Sequence, residues 1–360
     1  MKKIVTILGA RPQFVKAAVL SRIIKKHNNI EEIIVHTGQH FDSNMSAIFF
    51  DEMMIPKPKY NLEINNMSHG AMTGLMLLEI EKVLIEEVPD AVVVYGDTNS
   101  TIAGALAAKK MHIKVVHIEA GLRSFNMKMP EEINRIATDR ISDLLSCPTE
   151  TALDNLKKEG YDNLQILVEK HGDIMKDAVS YYGQFSKEKS SIIIDEKLQK
   201  NHFVLATIHR QENTDDEKKL RSIFLGLEEI HKTHTVILPM HPRTKSVLNK
   251  LSIHPQIQVI EPVGYYDMLE LLKNCSIVIT DSGGLQKEAF FNRKQTIVVR
   301  DETEWVELVS HGFAKLVGSN TKMILQTFDT FKATNKEFTV DLYGNNVGEK
   351  IYQSIYQLIH

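Results

Sequence analysis

The alternation of strand-like and helix-like segments most constrains how this 360-residue chain can fold. Short β-branched runs alternate with longer amphipathic segments, which is typical of parallel strands connected by helices. The first half predicts six strands: Ile4–Leu8, Glu32–His36, Ala91–Tyr95, Val115–Ile118, Leu144–Cys147 and Leu164–Val168. The pattern restarts after Asn201 with six more: Phe203–Ile208, Thr235–Pro239, Ile257–Ile260, Ile277–Thr280, Thr296–Val299 and Lys315–Val317. Each half therefore predicts a doubly wound, Rossmann-like α/β sheet.

The length of the chain favours two domains, because 360 residues exceed one comfortable hydrophobic core. We expect an N-terminal domain over residues 1–175 and a C-terminal domain over residues 176–345. A polar stretch with little periodicity, residues 184–200, is the predicted connection. Residues 346–360 are expected to close the molecule with an amphipathic helix over Gly348–Leu358.

Charge and hydropathy narrow the set of partners. A net charge of -3 and a pI near 6.6 give no general basic field, which argues against nucleic acid as the main partner. No apolar stretch approaches the roughly 20 residues of a membrane span. The run Ile4–Leu8 is too short for a signal peptide because it breaks at Gly9. These features predict a cytoplasmic protein with no membrane partner.

The sequence carries no sign of a metal or cofactor. Cys147 and Cys275 fall within apolar runs and are interpreted as core thiols. The His and acidic residues lack a convincing metal-ligand spacing. The glycines form no GxGxxG pattern and a Walker lysine is absent, so neither NAD nor ATP is indicated. We therefore expect no metal and no cofactor.

The strongest ligand signal is the segment Thr280–Glu288, directly after an apolar run. Ser282, Gly283 and Gly284 predict a turn into a helix start, where backbone N–H groups and the helix dipole can hold a diphosphate. Glu288, one turn into that helix, can accept the hydroxyls of a ribose. For this motif alone, an ordinary strand-to-helix turn is the alternative.

Three acidic residues of the first half are candidates for catalysis. Asp97 and Glu119 each follow a predicted strand, and ligands of open α/β sheets bind outside the carboxyl ends of the strands. Helix capping is the alternative for Asp97, whereas a carboxylate such as Glu119 at the rim of a buried sheet needs a partner or a task. Glu131 follows Pro130 at a helix start, where acids also serve the helix dipole.

Basic residues and histidines after other strands are candidates for binding. His209 can titrate near neutrality and is followed by Arg210 at a strand end, although a lone histidine is usually structural. Arg11, in the turn after the first strand, can neutralise phosphate or be an exposed loop arginine. The remaining candidates lie in the same or similar motifs: Lys16, Arg123, Arg135, His241, Arg243, Arg300 and Asp301.

Six ordered motifs resemble the non-hydrolysing UDP-N-acetylglucosamine 2-epimerases over essentially the whole chain. They are Gly9-Ala10-Arg11-Pro12, Gly96-Asp97-Thr98, His117–Arg123, Pro130–Arg135, His209-Arg210 and Asp281–Gly284. The resemblance implies a GT-B architecture, in which two Rossmann-like domains face a central cleft and UDP lies mostly on the C-terminal domain. It also implies a UDP-sugar substrate, a homodimer, and a bacterial or archaeal surface polysaccharide pathway.

Two departures favour one branch of that family. Thr303–Glu307 reads Thr-Glu-Trp-Val-Glu where ordinary members typically read Thr-Glu-Arg-Pro-Glu, and the loop Ser124–Met129 is shorter than theirs. Both departures lie on the sugar side. The chain is therefore closer to the branch that acts on UDP-2,3-diacetamido-2,3-dideoxy-glucuronic acid, with plain UDP-N-acetylglucosamine as the alternative.

The resemblance implies epimerisation at carbon 2 by elimination and re-addition of UDP through a 2-acetamidoglucal. Asp97, Glu119 and Glu131 match the family's catalytic acids, with the face that each serves left open, and His209 and Arg11 are expected to stabilise the departing diphosphate. Three alternatives remain at this point: a hydrolysing 2-epimerase, a GT-B glycosyltransferase, and a nucleotide-sugar sensor with an inactive cleft.

Overall fold

A computed structural model describes residues 1–39, 53, 55–334 and 336–360, and the side chain of Arg11 lies outside this description. Contacts between Cα atoms divide the chain into two compact units. The first unit comprises Met1–Ala178 and Asp341–His360, and the second comprises Val179–Val340. Each unit contains one parallel sheet with helices, as the strand and helix alternation predicts.

The first unit has a seven-stranded sheet in the order β3-β2-β1-β4-β5-β6-β7, with every neighbouring pair parallel. Its strands are β1 Lys2–Leu8, β2 Ile30–His36, β3 Tyr60–Asn61, β4 Ala91–Tyr95, β5 Lys114–Ile118, β6 Leu144–Cys147 and β7 Leu167–Lys170. The strand order reverses between β1 and β4. In an open α/β sheet this point leaves a crevice beyond the carboxyl ends of the strands, which is where ligands bind.

The helices of the first unit cover a core of fully buried aliphatic side chains that includes Val5, Ile7, Val92 and Val94. The helices are Arg11–His27, His69–Glu87, Asn99–Lys110, Pro130–Ile141, Glu150–Lys158, Ile174–Tyr182, which crosses into the second unit, Val347–Ile359, and the 3-10 turn Tyr161–Asn163.

The second unit has a six-stranded parallel sheet in the order β10-β9-β8-β11-β12-β13. Its strands are β8 Phe203–Thr207, β9 Thr235–Pro239, β10 Gln258–Ile260, β11 Ile277–Thr280, β12 Thr296–Val298 and β13 Ala314–Leu316. Its helices are Ser186–Lys189, Ile192–Asp195, Gln211–Thr214, Glu217–His231, Pro242–Lys250, Tyr265–Asn274, Gly283–Phe291, Val306–Ser310 and Thr321–Ala333. Here the order reverses between β8 and β11, so a ligand is expected beyond the turns that follow these two strands.

The C-terminal helix Val347–Ile359 packs on the first unit. Ile351 and Ile355 are fully buried, and the ring of Tyr352 stacks on His27 with 4.2 Å between ring centroids. Gly348 donates its N–H to Asp177 at 2.8 Å. The amphipathic pattern of this segment is thus satisfied within the first unit, although the segment lies at the far end of the sequence.

The structure differs from the sequence prediction in one strand boundary and in the division into units. The last strand of the first unit, β7, begins three residues later than the predicted Leu164. The reason is that the apolar run 164–168 starts before the strand, and Leu164 closes the preceding 3-10 turn by donating to Tyr161 O at 3.0 Å. Residues 184–200 belong to the second unit and contain two short helices, because the division between units falls earlier, after Ala178. Within the described residues, every helix is too short or too polar to cross a membrane.

Candidate active site

Asp97 lies in the turn after β4, in the first unit. Gly96 adopts a left-handed φ of 62° and donates its N–H to Ile118 O at 2.9 Å, which ties this turn to β5. The carboxylate of Asp97 pairs with Arg135, and Asn134 Nδ2 donates to the Asp97 carbonyl at 3.0 Å. Thr98, not Asp97, caps the next helix by accepting from Thr101 N at 3.3 Å. Capping therefore does not account for Asp97.

Glu119 lies in the adjacent turn, after β5. Its φ of 73° is in the left-handed region, which costs a non-glycine residue on the order of 1–3 kcal/mol and persists only where the surroundings impose it. Its carboxylate pairs with Lys16, whose side chain is 4% exposed. A Cβ placed on Gly96 would come within 3.2 Å of Glu119 Oε2. Glu119 therefore directs its carboxylate against the backbone of the Asp97 turn.

Two consecutive glutamates at the start of the helix Pro130–Ile141 have different environments. Glu132 is fully buried, accepts from Ser124 Oγ and Phe125 N at 2.9 Å each, and pairs with Arg135 at 2.6 Å. Glu131 is half-buried, and no hydrogen bond or ion pair reaches it from the described residues. Residues three and four positions apart share one side of a helix, so Glu131 lies on the side of Asn134 and Arg135 that contacts Asp97. Glu132 holds the preceding loop, and the catalytic role of Glu131 stays a prediction.

Gln13 connects the turns after β1 and β4. Its Oε1 accepts from Gly9 N at 2.7 Å, and its Nε2 donates to Tyr95 O at 2.7 Å. The sequence prediction missed this buried residue, which lies in the first helical turn after Pro12. It selected Arg11 from the same motif, and that side chain lies outside the described part of the chain.

The second unit contains the predicted helix N-terminus directly after β11. Ser282 caps the helix Gly283–Phe291 by accepting from Leu285 N at 3.4 Å. A Cβ added to Gly284 would meet no described atom within 4 Å, and one added to Gly283 would make only ordinary contacts, the nearest at 3.5 Å. Packing within the described structure therefore does not require either glycine. Close approach of a ligand to the backbone N–H groups is what glycine permits here.

A buried carboxylate joins the two turns at the switch point of the second sheet. Asp281 is fully buried and accepts from His209 N at 3.0 Å, from Arg210 N at 3.0 Å and from Asn213 Nδ2 at 3.1 Å. His209 Nδ1 lies 3.4 Å from Asp281 Oδ1, and its ring stacks on His241. A carboxylate beside one ring nitrogen orients an imidazole and fixes which nitrogen carries the proton. The sequence places Asp281 in the motif Asp281–Gly284 but does not indicate this role.

Several predicted binding residues have protein partners in the structure. Arg123 and Arg300 have fully buried side chains: Arg123 pairs with Asp139 and Glu159 at 2.7 Å each, and Arg300 with Glu304 at 3.0 Å. These contacts favour a structural role for both arginines. Three of the remaining candidates lie near a residue of opposite charge: Arg243 pairs with Asp215 at 2.7 Å, Arg210 lies 4.0 Å from Glu304, and the exposed Asp301 lies 3.4 Å from Lys219. Glu288 is buried one turn into its helix. Their roles in binding stay predictions.

Comparison with known proteins identifies the family to which this arrangement belongs. A family model described as UDP-N-acetylglucosamine 2-epimerase matches residues 22–356. The chain belongs to the UDP-N-acetylglucosamine 2-epimerase family. It is an enzyme of the non-hydrolysing UDP-sugar 2-epimerase class, as the six motifs predict.

Individual members of the family resemble the chain over nearly its full length. It is 51% identical over 343 residues to a UDP-2,3-diacetamido-2,3-dideoxy-D-glucuronate 2-epimerase of Pseudomonas aeruginosa, covering 95% of this chain and 96% of the relative. A UDP-N-acetylglucosamine 2-epimerase homolog of Methanococcus maripaludis is 47% identical, with coverage of 99% and 100%. Among solved structures, the Methanocaldococcus jannaschii UDP-GlcNAc 2-epimerase in complex with UDP-GlcNAc and UDP gives a TM-score of 0.92 at 40% identity, with 99% of each chain covered. These matches confirm the predicted branch and the GT-B-like pair of parallel-sheet domains.

One departure from the ordinary family pattern, Trp305, has a defined place in the second unit. The indole is 4% exposed, and the ammonium of Lys287 lies 3.8 Å from its ring centroid. A Cβ on Gly283 would lie 3.5 Å from Trp305 Nε1. Trp305 is therefore next to the helix N-terminus that is the candidate diphosphate site. Among the described residues, no group of three or more His, Cys, Asp or Glu side chains is arranged to hold a metal ion.

Proposed function

We propose that this epimerase inverts carbon 2 of UDP-2,3-diacetamido-2,3-dideoxy-glucuronic acid to give the manno epimer. The main support for this reaction is a pair of adjacent turns in the first unit. Each turn has an acid that pairs with a cation, Asp97 with Arg135 and Glu119 with Lys16. An ionised carboxylate can accept the carbon 2 proton on one face, and a protonated carboxyl can return a proton on the other. Two carboxyl groups on neighbouring turns can therefore supply the two proton carriers that inversion requires.

The chemistry of the substrate favours elimination. The hydrogen on carbon 2 is not activated, so its direct removal would form a very unstable carbanion. If the bond between carbon 1 and the UDP oxygen breaks as a carboxylate takes the proton, a carbon 1–carbon 2 double bond forms instead. Protonation of carbon 2 on the opposite face and re-addition of UDP at carbon 1 then complete the inversion. Asp97, Glu119 and Glu131 are the proposed proton carriers, with the assignment to each face left open.

The residues of the second unit are proposed to hold UDP and to stabilise it as it departs. The backbone N–H groups of Gly283 and Gly284 lie in the first turn of a nine-residue helix, where a diphosphate gains from the helix dipole, whereas the Ser282 N–H donates to Thr280 Oγ1 at 2.9 Å. His209, oriented by Asp281, would add a donor as negative charge grows on the leaving group. Donors of this kind contribute roughly 3–4 kcal/mol each to stabilisation of the transition state.

The proposal for the sugar depends on the Pseudomonas relative. A relative 51% identical over almost the whole chain acts, by its name, on the diacetamido acid. The alternative substrate is plain UDP-N-acetylglucosamine, supported by the Methanocaldococcus jannaschii enzyme, which is 41% identical and named for that substrate.

A proton NMR time course in deuterium oxide tests the proposal, with the two UDP-sugars supplied in parallel and no acceptor present. We expect inversion and deuterium at carbon 2 of the diacetamido acid. Turnover of UDP-N-acetylglucosamine alone would favour the alternative substrate, and release of free sugar with UDP would indicate a hydrolysing enzyme. If neither sugar exchanges its hydrogen and product appears only when an acceptor is added, the chain is a glycosyltransferase. Absence of exchange and of product would indicate a sensor.

We also propose, from the family resemblance, that the enzyme acts in the cytoplasm as a homodimer that supplies surface polysaccharide synthesis. Light scattering over a range of protein concentrations would test the dimer. A mass that corresponds to one chain at all concentrations would exclude it.

A further inference from the structure

A buried histidine lies between the two acid-bearing turns of the first unit. His117 belongs to β5, is fully buried, and precedes Glu119 by two residues. Its Nε2 lies 2.7 Å from the carbonyl oxygen of Gly96, the residue before Asp97. Its Nδ1 lies 2.7 Å from Asp139 Oδ1. One imidazole therefore contacts the backbone that carries one proposed acid while it belongs to the strand that carries the other.

The partners of the imidazole indicate how many protons it carries. A carbonyl oxygen can only accept, so Nε2 must donate to Gly96. Asp139 accepts through its other oxygen from Arg123 Nη1 at 2.7 Å and from Gly121 N at 3.1 Å. These are the contacts of an ionised carboxylate, which requires a donor at Nδ1 as well. Both ring nitrogens then carry hydrogen.

The charges around Asp139 agree with this assignment. Burial opposes ionisation of Asp139, but His117 and Arg123 outweigh it and hold the pKa of this carboxyl below its usual value. Burial also raises the pKa of the nearby Cys147 thiol and of the Tyr161 phenol, so both stay neutral over the working pH range. The residues paired with His117 on the neighbouring strands, Val94 and Leu145, are apolar. A positive charge on His117 is therefore balanced by Asp139, while Glu159 balances Arg123.

We propose that His117 donates a hydrogen bond from each ring nitrogen, to Asp139 and to Gly96, and acts as a positioning residue that fixes the Gly96 carbonyl, and through it the Asp97 carboxylate, relative to Glu119. Residue Gly96 is held to β5 through both its backbone N–H, which donates to Ile118 O, and its carbonyl oxygen, which accepts from His117 Nε2. A charged donor makes a stronger hydrogen bond than a neutral one. This inference deepens the proposed function, on which its kinetic part rests.

The charge on His117 can be measured without substrate. In the full-length protein labelled with 15N-histidine, long-range proton–nitrogen correlations report whether each ring nitrogen carries a proton. We expect His117, assigned by loss of its signals in His117→Asn, to carry a proton on both ring nitrogens at pH 7.5, as its two acceptor partners require. Asp139→Asn should convert it to a neutral ring with hydrogen on Nε2 only. A neutral ring in the unmodified protein at pH 7.5 would overturn the proposal.

The positioning role is measured by kinetics. In His117→Asn we expect kcat to fall on the order of 10²-fold, as for a misplacement of a catalytic group by about 1 Å, with KM changed by less than about twofold. His112→Asn is the matched control, because His112 is an exposed histidine before the opposite end of β5 and its left-handed φ of 60° suits asparagine. A folded His117→Asn with unchanged kcat would overturn the proposal, as would an equal loss in the control.

Two further outcomes are distinguishable. If His117→Asn does not fold, the kinetics of His117→Gln and the ring protonation of the unmodified protein decide whether the proposal holds. If the unmodified protein epimerises neither UDP-sugar, the proposed function fails, whereas double protonation of His117 is still tested by the spectra.

Discussion

The turns that carry Asp97 and Glu119 in the first unit present side-chain charges, whereas the helix N-terminus of the second unit presents backbone groups. In the first unit Asp97 and Glu119 are surrounded by side-chain charges, and Glu119 is held in a left-handed conformation. In the second unit the candidate diphosphate site consists of backbone groups beside Gly283 and Gly284, with open space above Gly284. Proton transfer needs individual charged groups at defined positions, whereas a diphosphate can be held by repeated backbone donors. The contrast therefore predicts that side-chain substitutions matter most in the first unit and that added bulk matters in the second.

The largest effect is expected from removal of an acid charge. Asp97→Asn and Glu119→Gln keep shape but abolish proton acceptance, and each should lower kcat by roughly 10²–10⁴-fold, the usual range for general acid–base catalysis. Deuterium incorporation at carbon 2 should fall with it. Asp162→Asn, at an exposed position of the same unit, is the control. Near-normal turnover in either variant would remove that residue from the mechanism.

A smaller effect is expected from the imidazole of the second unit. His209→Asn removes a donor to the leaving diphosphate and should lower kcat by about 10²–10³-fold. Asp281→Asn, which keeps His209 but weakens its orientation, should cost less. Equal activity of both variants and the unmodified enzyme from pH 6 to 9 would contradict the role of this pair.

Substitution of Gly284 tests whether a diphosphate lies against the backbone at the start of the helix Gly283–Phe291. Gly284→Ala adds a methyl group that meets no described atom within 4 Å, so thermal stability should be unchanged or slightly higher. If a diphosphate approaches the backbone there, the affinity for UDP should fall about tenfold, or about 1.4 kcal/mol. Gly74→Ala is a matched control, because Gly74 is also in a helix and has no atom within 4 Å of an added Cβ. Calorimetric titration with UDP compares the two, and identical affinities would move the diphosphate elsewhere.

The sequence was sufficient for most of the fold because the strands of both sheets are short apolar runs bounded by polar segments. Ala91–Tyr95, Leu144–Cys147 and Ile277–Thr280 begin and end where the pattern predicts. The two-residue β3, Tyr60–Asn61, was missed because it has no periodicity to detect. The turns that carry Asp97, Glu119 and Ser282 follow strands as predicted, since the position of a turn depends only on where a strand ends.

The roles of individual charged residues were harder to predict, because they depend on partners distant in sequence. Arg123 follows a strand just as a ligand-binding arginine would, and only the fold shows that Glu159, 36 residues later, and Asp139 enclose it. Glu131 and Glu132 are adjacent in the same first turn, and the direction of each side chain decides which one holds a loop. In the sequence, His117 is only the first position of the motif His117–Arg123, because nothing in a single sequence places it against Gly96.

The smallest effect concerns stability against acid, which we expect to depend on buried histidines of the first unit rather than on the proposed catalytic acids. Burial lowers the pKa of His171, and the adjacent Glu169 only partly offsets this; burial likewise lowers the pKa of His36. The unfolded chain therefore binds more protons than the native state once the pH falls below the ordinary histidine pKa of about 6.5. Stability should be complete above that pH and decline as the pH falls through 6. His171→Gln, which can keep hydrogen bonds to Ser146 and Ser354, should flatten the decline in urea unfolding measured between pH 7.5 and 5. An unchanged slope would mean that other groups cause the acid sensitivity.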